Sequence, residues 1–256
     1  MTTPTLTPVL SLTREILGVY DQRFLQMEPP VRRRVVTATK DMLDGLLTPD
    51  VRQELPERAR LRAFCIENEL FEELERLIAD EAAGHREGAV VVGGRVYAVY
   101  PYLRGVPRQD VDITAEVGVE HSLESLGWSK GLLRIRGWAR IARVQAKNPE
   151  ICLLLRSGRE EIRIETSPLG NAPTGEDFEA LLEVPESGSW TVHVEVRTLG
   201  LRRSEPFGGR RPEGFKAPGE REEILLDLSG GLRIERVALE LPRPRRSWRF
   251  WRGRQA

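Results

Sequence analysis

The sequence predicts an α+β protein in which a small N-terminal helical bundle is followed by an antiparallel, immunoglobulin-like β-sandwich. Two observations lead to this fold class. Before Gly88, apolar residues recur at intervals of three and four, the period of a helix with one buried face. After Gly88, apolar and charged residues alternate with a period of two, between turns of Gly, Pro, Asn and Ser. We expect a helical domain over residues 8–87, a sandwich over 88–241 and a basic, aromatic tail over 242–256.

Prolines and small polar residues indicate where the helices begin. Thr7-Pro8 and Thr48-Pro49 each place an N-cap residue before a proline, and Pro29-Pro30 opens another helix. The segment PERARLRAFCIEN indicates a third helix, and an acidic amphipathic segment indicates a fourth. We predict four short helices that are stable only when packed together. The expected apolar faces contain Leu12, Ile16, Val19, Tyr20 and Phe24 in the first helix, Val31, Val35, Met42 and Leu46 in the second, and Leu70, Leu74, Leu77 and Ile78 in the fourth.

Nine or ten strands are predicted after the helices. Gly93-Gly94 indicates a hairpin turn within AVVVGGRVYAVYPY, and DVDITAEVGVEH has the alternation of a strand. The most regular block lies between Gly131 and Gly200, where strands follow one another with short turns, as in an antiparallel sandwich. Residues 203–222 interrupt the pattern as a long irregular loop, and loops of this length are usually functional or mobile.

The composition is that of a folded protein without a strong overall charge. The chain has 256 residues, of which 30% are charged, and a formal net charge of +0. No run approaches the roughly 18 apolar residues that span a bilayer. The first residues lack the basic region of a secretory signal, so we expect a cytoplasmic location. Cys65 and Cys152 both lie in apolar runs, which predicts two buried, unreactive thiols.

No pattern in the sequence predicts a catalytic residue, a cofactor or a metal site. His85, His121 and His193 lie far apart, and none has the spacing of a zinc ligand. His193 is expected on the polar face of its strand. Asp110 and Asp112 form a D-x-D pair, which we interpret as two carboxylates on one face of an exposed strand. Together with His121 they are the only residues that favour an alternative hypothesis, an unrecognised hydrolase.

Trp138 is the strongest candidate for a binding residue. In RIRGWARI, alternation places it on the face opposite Leu133 and Ile135, next to arginine side chains. An exposed indole can stack on a sugar ring while neighbouring arginines bind the hydroxyl groups. Trp190 is expected in the core instead. The predicted sugar- or phosphate-binding patch consists of Trp128, Arg136, Trp138 and Arg140, and burial of both tryptophans would exclude it.

The tail of the chain is a second candidate surface. Its last 15 residues contain six arginines, no acidic residue and three large aromatic residues. One hypothesis is that the tail binds the inner face of the membrane or a phosphate polymer. The alternative is a solvated, disordered terminus, and no specific nucleic acid is expected. The candidate contacts are Arg245, Arg246, Trp248 and Trp251.

A resemblance to a known family covers residues 10–240. The segments GLLRIRGWARI, ICLLLRSGREEIRIE, FEALLEV and GSWTVHVEVRTLGLRR resemble the C-terminal portion of bacterial inverting glycosyltransferases that modify wall teichoic acid. The segment LPERARLRAFCIENELFEELERL resembles the end of the helical linker in that family. In those enzymes the linker and immunoglobulin-like modules follow a GT-A catalytic domain. This sequence has no counterpart of that domain, so the resemblance assigns no catalytic residue here.

The resemblance implies a non-catalytic accessory module of a cell-envelope glycosyltransferase system. Its expected partners are a glycopolymer, a catalytic glycosyltransferase subunit or further copies of the chain. The alternative is a protein-binding scaffold whose sheet edges or helices contact a partner and bind no glycan. Two origins stay open: a separately encoded module, or a fragment of a longer reading frame.

Overall fold

The computed structural model describes residues 6–85, 88–169, 176–215 and 224–236. Helices occupy the N-terminal part and antiparallel sheets the rest, which confirms the predicted α+β order. The predictions for the tail, which concern Arg245, Arg246, Trp248 and Trp251, lie outside the described residues. The helices are α1 (Leu6–Gly18), α2 (Gln22–Leu25), α3 (Pro29–Leu43), α4 (Pro49–Glu54), α5 (Glu57–Glu67), α6 (Phe71–Ala82) and α7 (Arg108–Val111).

Among the described residues, six helices precede the first strand, where four were predicted, because short capped turns add helices that the apolar pattern does not reveal. The Asp21 side chain accepts a hydrogen bond from the Arg23 amide and begins α2, a single turn. Thr48 accepts one from the Val51 amide, as its cap-and-proline pattern predicts. The Thr7-Pro8 pattern is not a helix boundary, since α1 already begins at Leu6.

The buried faces of α1 and α3 lie beside the predicted ones. Leu17 is buried on α1 together with Thr13, and Val36 is buried on α3 together with Thr39. The Thr13 hydroxyl bonds to the Val9 carbonyl, so a threonine is buried without an unsatisfied donor. The buried faces of α1 and α3 therefore include threonines, and some apolar residues that the three-four spacing assigned to these faces lie outside them. The predicted core residues that are exposed instead are Leu12, Val19 and Met42.

The β part consists of a two-stranded hairpin and two larger sheets. The strands are β1 (Ala89–Val92), β2 (Arg95–Ala98), β3 (Val119–Ser129), β4 (Leu132–Ile141), β5 (Glu150–Ser157), β6 (Glu160–Glu165), β7 (Ser167–Pro168), β8 (Asp177–Leu182), β9 (Ser189–Thr198), β10 (Leu201–Pro206), β11 (Ile224–Asp227) and β12 (Arg233–Arg236). One larger sheet has the order β3-β4-β8-β7, and the other has the order β11-β12-β9-β5-β6, with β10 also paired to β9.

The two larger sheets form a sandwich around one hydrophobic core. Buried residues of both sheets, among them Ile135, Phe178, Val192 and Trp190, belong to the same cluster. Burial of Trp190 confirms its predicted core position. The orders β3-β4-β8-β7 and β6-β5-β9-β10 correspond to strands A-B-E-D and C′-C-F-G of immunoglobulin-type domains. The sandwich is therefore compatible with the predicted immunoglobulin-like topology.

A second hydrophobic core lies within the helical bundle. It is formed by the N-terminal helices and by the segment that follows β2. After β2 the chain returns to the helices, where Leu103 is buried in the helical core. Tyr100 packs against both cores, and burial raises its pKa above the ordinary value for tyrosine. The segment between β2 and β3 thus connects the bundle with the sandwich, through packing as well as through the chain.

This connecting segment contradicts the predicted strand DVDITAEVGVEH. Asp110 lies in α7, the single helical turn that follows Pro107, and β3 begins only at Val119. Asp112 accepts hydrogen bonds from the amide and hydroxyl of Thr114, which turns the chain toward the sandwich. The two carboxylates therefore do not share the face of one exposed strand.

Both cysteines are free and buried, which confirms the prediction of separate thiols. Burial raises the pKa of Cys65 to about 12 and the pKa of Cys152 to about 11. Since the thiolate is the reactive form, neither side chain is a nucleophile near neutral pH.

Phe207 fills a space in the sandwich that Gly137 leaves open. The predicted loop over 203–222 is wrong at its start, because β10 extends to Pro206 and Phe207 is fully buried. The Phe207 ring lies 5.7 Å from Phe178 and 5.4 Å from His121, measured between ring centroids. A Cβ atom at position 137 would lie 2.8 Å from Phe207 Cζ. Gly137 is therefore required by packing rather than by a turn.

We expect Gly137→Ala to lower the free energy of unfolding by about 1–3 kcal/mol, because overpacking forces side chains or backbone to shift. Urea unfolding followed by tryptophan fluorescence measures the change. Gly127→Ala in the neighbouring strand is the matched control, since its Cβ would meet only Arg134 Nη2 at 4.0 Å. Equal midpoints for the two variants would contradict the packing role of Gly137.

Glu195 on β9 is the centre of an ion-pair cluster on the side of the sheet β11-β12-β9-β5-β6 that faces away from the sandwich core. It shares this face with His193, as the alternation predicted, but its side chain is only 1% exposed. Arg163, Arg197 and Arg202 all pair with its carboxylate. Burial alone would raise the pKa of Glu195, but the hydrogen bond from Arg202 and the nearby positive charges hold it below the ordinary value.

Because its pKa is lowered by folding, Glu195 contributes stability that is present above its unfolded pKa of about 4.3 and is lost as the pH falls below it. Glu195→Gln should therefore be clearly less stable than the wild type at pH 7, and this difference should shrink at pH 3. Urea unfolding at both pH values tests this. Glu165→Gln, which removes a 74% exposed partner of Arg163, should have little effect at either pH. A difference for Glu195→Gln that is independent of pH would refute the assignment.

Candidate functional site

The candidate glycan-binding residues lie on the sheet β3-β4-β8-β7. Along β4, Leu133 and Ile135 are buried in the sandwich, while Arg136 and Trp138 lie on the opposite face and are partly exposed. Arg140 follows on this outer face and is exposed. The predicted placement of Trp138 opposite the apolar residues of its strand agrees with this register. We call the outward residues of β3, β4 and β8 around Trp138 the outer face.

Trp138 is surrounded by polar groups on the outer face. The guanidinium of Arg140 lies 5.6 Å from the centre of the Trp138 ring, within the range of a cation–π contact. Ser122 on β3 and Asp177 on β8 are its cross-strand neighbours. The indole is thus an apolar surface within a polar sheet, an arrangement suited to a ligand with both C–H and hydroxyl groups.

The arginines of the outer face are paired with carboxylates. Arg136 bonds to Glu179 on β8, and Arg140 pairs with Glu120 at 2.9 Å and with Glu176 at 3.9 Å. These ion pairs orient the guanidinium groups and compensate their charges. The face therefore offers fixed hydrogen-bond donors and acceptors without a net positive charge, which favours hydroxyl groups over a polyanion as partners.

Trp128 does not join this patch. The hairpin turn between β3 and β4 is Lys130-Gly131, with φ angles of 48° and 88°, a two-residue turn of type I′. This turn pairs Trp128 with Leu133, and directly paired residues lie on the same face. Trp128 packs against the sandwich core, so the two tryptophans lie on opposite faces of the sheet. Neither tryptophan is fully buried, so the structure does not exclude a binding patch around Trp138.

The residues of the alternative hydrolase hypothesis are not brought together. His121 is buried against Phe207 in the sandwich, and burial lowers its pKa. Asp110 pairs with Arg52 in the bundle, whereas Asp112 pairs with Arg95 and Thr114. Within the described ranges, no group of three or more His, Cys, Asp or Glu side chains is arranged to hold a metal ion. The hydrolase hypothesis has no geometric support.

The junction between bundle and sandwich contains a charged network that the sequence pattern did not reveal. Arg60 on α5 is 5% exposed and donates to the carbonyls of Leu55, Asp110 and Asp112, at 2.8, 3.2 and 2.6 Å. Its guanidinium also pairs with Glu116 at 2.9 Å. The only sequence signal is that Ala59, Leu61 and Ala63 alternate with arginines in PERARLRAF, so that arginines recur within an apolar segment.

Asp110 completes this network at the end of α7. Its side chain is fully buried, and its pKa is raised by burial, against the opposing effect of the Arg52 guanidinium at 2.7 Å. Nearby, Arg143 pairs with the buried Glu57 at 2.6 Å, which ties the end of β4 to the start of α5. A cleft of about 930 Å³ opens beside this network, between α4, α5 and the segment that leads into β3.

We expect Arg60→Ala to lower the free energy of unfolding by about 3–5 kcal/mol, because it leaves buried carbonyls without their donor and removes the counter-charge of Glu116. Arg95→Ala is the matched control, since Arg95 pairs with Asp112 but is 66% exposed, and should cost about 1 kcal/mol or less. Chemical denaturation measures both. Equal losses would mean that the junction does not depend on the buried guanidinium.

Comparison with known proteins shows a similarity in the N-terminal part. Residues 10–78 match the family model described as the glycosyl transferase TarS linker domain. These residues comprise most of α1, all of α2 to α5 and the larger part of α6. No curated protein matches the sequence. Among the described helices, none is long and apolar enough to cross a membrane.

Two solved structures match this chain, and one of them has a TM-score above 0.5. A crystal structure of a fragment of S. aureus TarS has a TM-score of 0.52 at 10% sequence identity, and the match covers 93% of this chain and 77% of that one. A second crystal structure, of S. aureus TarS, has a TM-score of 0.41 at 10% identity, over 84% of this chain and 41% of that one. At this identity the first likeness shows the fold alone. The family match confirms the predicted resemblance for the N-terminal part: residues 10–78 are similar to the TarS linker domain, and a β-sandwich follows them in the chain.

Proposed function

We propose that this chain is a non-catalytic accessory module of a cell-envelope glycosyltransferase system and that its outer face binds a glycopolymer. The match of residues 10–78 to a TarS linker domain supports the association with a glycosyltransferase. The position of Trp138 among paired arginines and carboxylates supports glycan binding, and this is the observation on which the proposal mainly rests.

The chemistry of the outer face favours recognition of sugar rings. The face of an indole packs against the C–H groups of a pyranose, while arginines donate to hydroxyl groups and carboxylates accept from them. Arg136 and Arg140 are held by Glu179 and Glu120, so they need little reordering when a ligand binds. The outer face is an open surface rather than a pocket. Single contacts should therefore be weak, and repeated units of a polymer would raise the apparent affinity.

The proposal is tested by isothermal calorimetry with teichoic-acid fragments that carry sugar substituents. Trp138→Ala should weaken binding by about tenfold, equal to about 1.4 kcal/mol. Leu181→Ala is the matched control, because Leu181 is an exposed apolar residue on the same face and should leave the affinity unchanged. Binding should also change little with salt, since the charges of the face are compensated. Equal affinities of the wild type and Trp138→Ala would refute glycan binding at this face.

The second candidate function is a protein-binding scaffold. It is favoured by apolar side chains on the outermost strands, since Val92 of β1 is 59% exposed and Leu225 of β11 is 51% exposed. Unpaired strand edges with apolar side chains are suited to contact another chain. Light scattering that gives the mass of a dimer or larger assembly, together with no heat from any glycan, would favour this function over glycan binding.

The proposal includes a cytoplasmic location, with the catalytic transferase subunit as a further partner. It also includes contact of the basic, aromatic tail with the inner face of the membrane. Flotation with anionic lipid vesicles, comparing the full chain with a chain that ends at Leu241, tests this contact. Equal flotation of the two chains would remove it from the proposal.

A further inference from the structure

Two of the arginines that line the cleft at the junction form no ion pair with a carboxylate of the described residues. Of the five arginines that line it, three form ion pairs with acidic residues of the same cleft. These pairs are Arg52 with Asp110 at 2.7 Å, Arg60 with Glu116 at 2.9 Å and Arg95 with Asp112 at 2.8 Å. The remaining two arginines are Arg14 on α1 and Arg203 on β10.

Arg14 and Arg203 are held by main-chain carbonyls instead. Arg14 donates to the Glu54 carbonyl at 3.0 Å. Arg203 donates to the carbonyl of Val117 at 3.0 Å, to that of Arg202 at 2.9 Å and to that of Thr114. A carbonyl orients a guanidinium but does not cancel its charge. Because a guanidinium has five N–H donors, both side chains keep donors for a ligand.

One acidic group opposes these two charges. The Glu54 side chain also lines the cleft and is exposed, and no ion pair joins it to another described residue. The ionised lining residues therefore carry one more positive than negative charge: five arginines against Glu54, Asp110, Asp112 and Glu116. The excess is small, but it is concentrated in two guanidiniums that are already oriented.

A second cleft continues the positive surface. It has a volume of about 590 Å³ and shares Arg14, Pro56 and Glu116 with the first. Arg58 and Arg62 line it and both pair with Glu81. Among the described residues, the buried Nε donor of Arg62 has no hydrogen-bond partner. Arg14 thus lines both clefts, and further arginines lie beside it in the second one.

We propose that the junction cleft binds the phosphate group of a small phosphorylated molecule, with Arg14 and Arg203 as its ligands. Arginine binds phosphate through paired, charge-assisted hydrogen bonds, which suits two guanidiniums in one cleft. A volume of about 930 Å³ is within the usual range of small-molecule sites and exceeds what a bare ion needs. This site differs from the outer face, where Arg136 and Arg140 beside Trp138 both have carboxylate partners, and the inference does not depend on glycan binding there.

The test is calorimetry of the full chain with inorganic phosphate and with pyrophosphate at constant ionic strength. Pyrophosphate should bind more tightly than phosphate, because it carries more negative charge and more acceptor oxygens for the guanidinium donors. Arg14→Glu should weaken pyrophosphate binding by about tenfold or more, since it removes charge-assisted hydrogen bonds and adds a repelling charge. Arg34→Glu makes the same change at an exposed arginine of α3 outside both clefts, and its affinity should stay within about twofold of the wild type.

A gain of affinity provides an independent readout. Glu54→Gln removes the opposing carboxylate at an exposed position and should tighten pyrophosphate binding by about threefold. Arg203→Ala should abolish binding, but it also removes three carbonyl contacts, so it counts only if circular dichroism shows a folded protein. Trp138→Ala should bind pyrophosphate like the wild type. Absence of pyrophosphate binding by the wild type, or equal affinities of Arg14→Glu and Arg34→Glu, would overturn the inference.

Discussion

The buried guanidinium of Arg60 is the interaction on which the arrangement of this protein depends. It bonds to the loop before its own helix, through Leu55, and to the segment that leads into the sandwich, through Asp110, Asp112 and Glu116. A buried charge is costly, and it is tolerated only where hydrogen bonds and a counter-ion satisfy it completely. The helical and sheet parts are therefore joined by a set of bonds with defined directions in addition to apolar packing. This fixes the walls of the cleft beside them.

Charge compensation distinguishes the two surfaces described above. On the outer face, Arg136 and Arg140 are matched by carboxylates of neighbouring strands, so the surface is polar but balanced. At the junction, Arg14 and Arg203 are matched only by carbonyls and keep their charge. The same residue type thus offers hydrogen bonds to neutral hydroxyl groups in one place and attraction for an anion in the other. The difference depends on whether the partner of the guanidinium is a carboxylate, which cancels its charge, or a main-chain carbonyl, which does not.

The sequence allowed the fold class and the placement of Trp138 to be predicted, because the period of apolar residues is a local property of helices and strands. It did not allow the placement of Trp128, since a two-residue turn and a bulge after Leu123 set the register between β3 and β4. Phe207 was assigned to a loop because its partners in the core are distant in sequence. The burial of Arg60 was missed for the same reason: the carbonyls that satisfy it lie mostly on another segment of the chain.

The sealed thiols of Cys65 and Cys152 have a practical consequence. Since both are buried and strongly protonated, a cysteine introduced at an exposed position would be the one thiol in the described part of the chain that reacts quickly with a label. Pairs of such positions, one in the bundle and one in the sandwich, would accept spin labels or fluorophores without removal of the native cysteines. Distances across the junction can therefore be measured in solution, with or without a ligand or partner, on variants that keep both native cysteines.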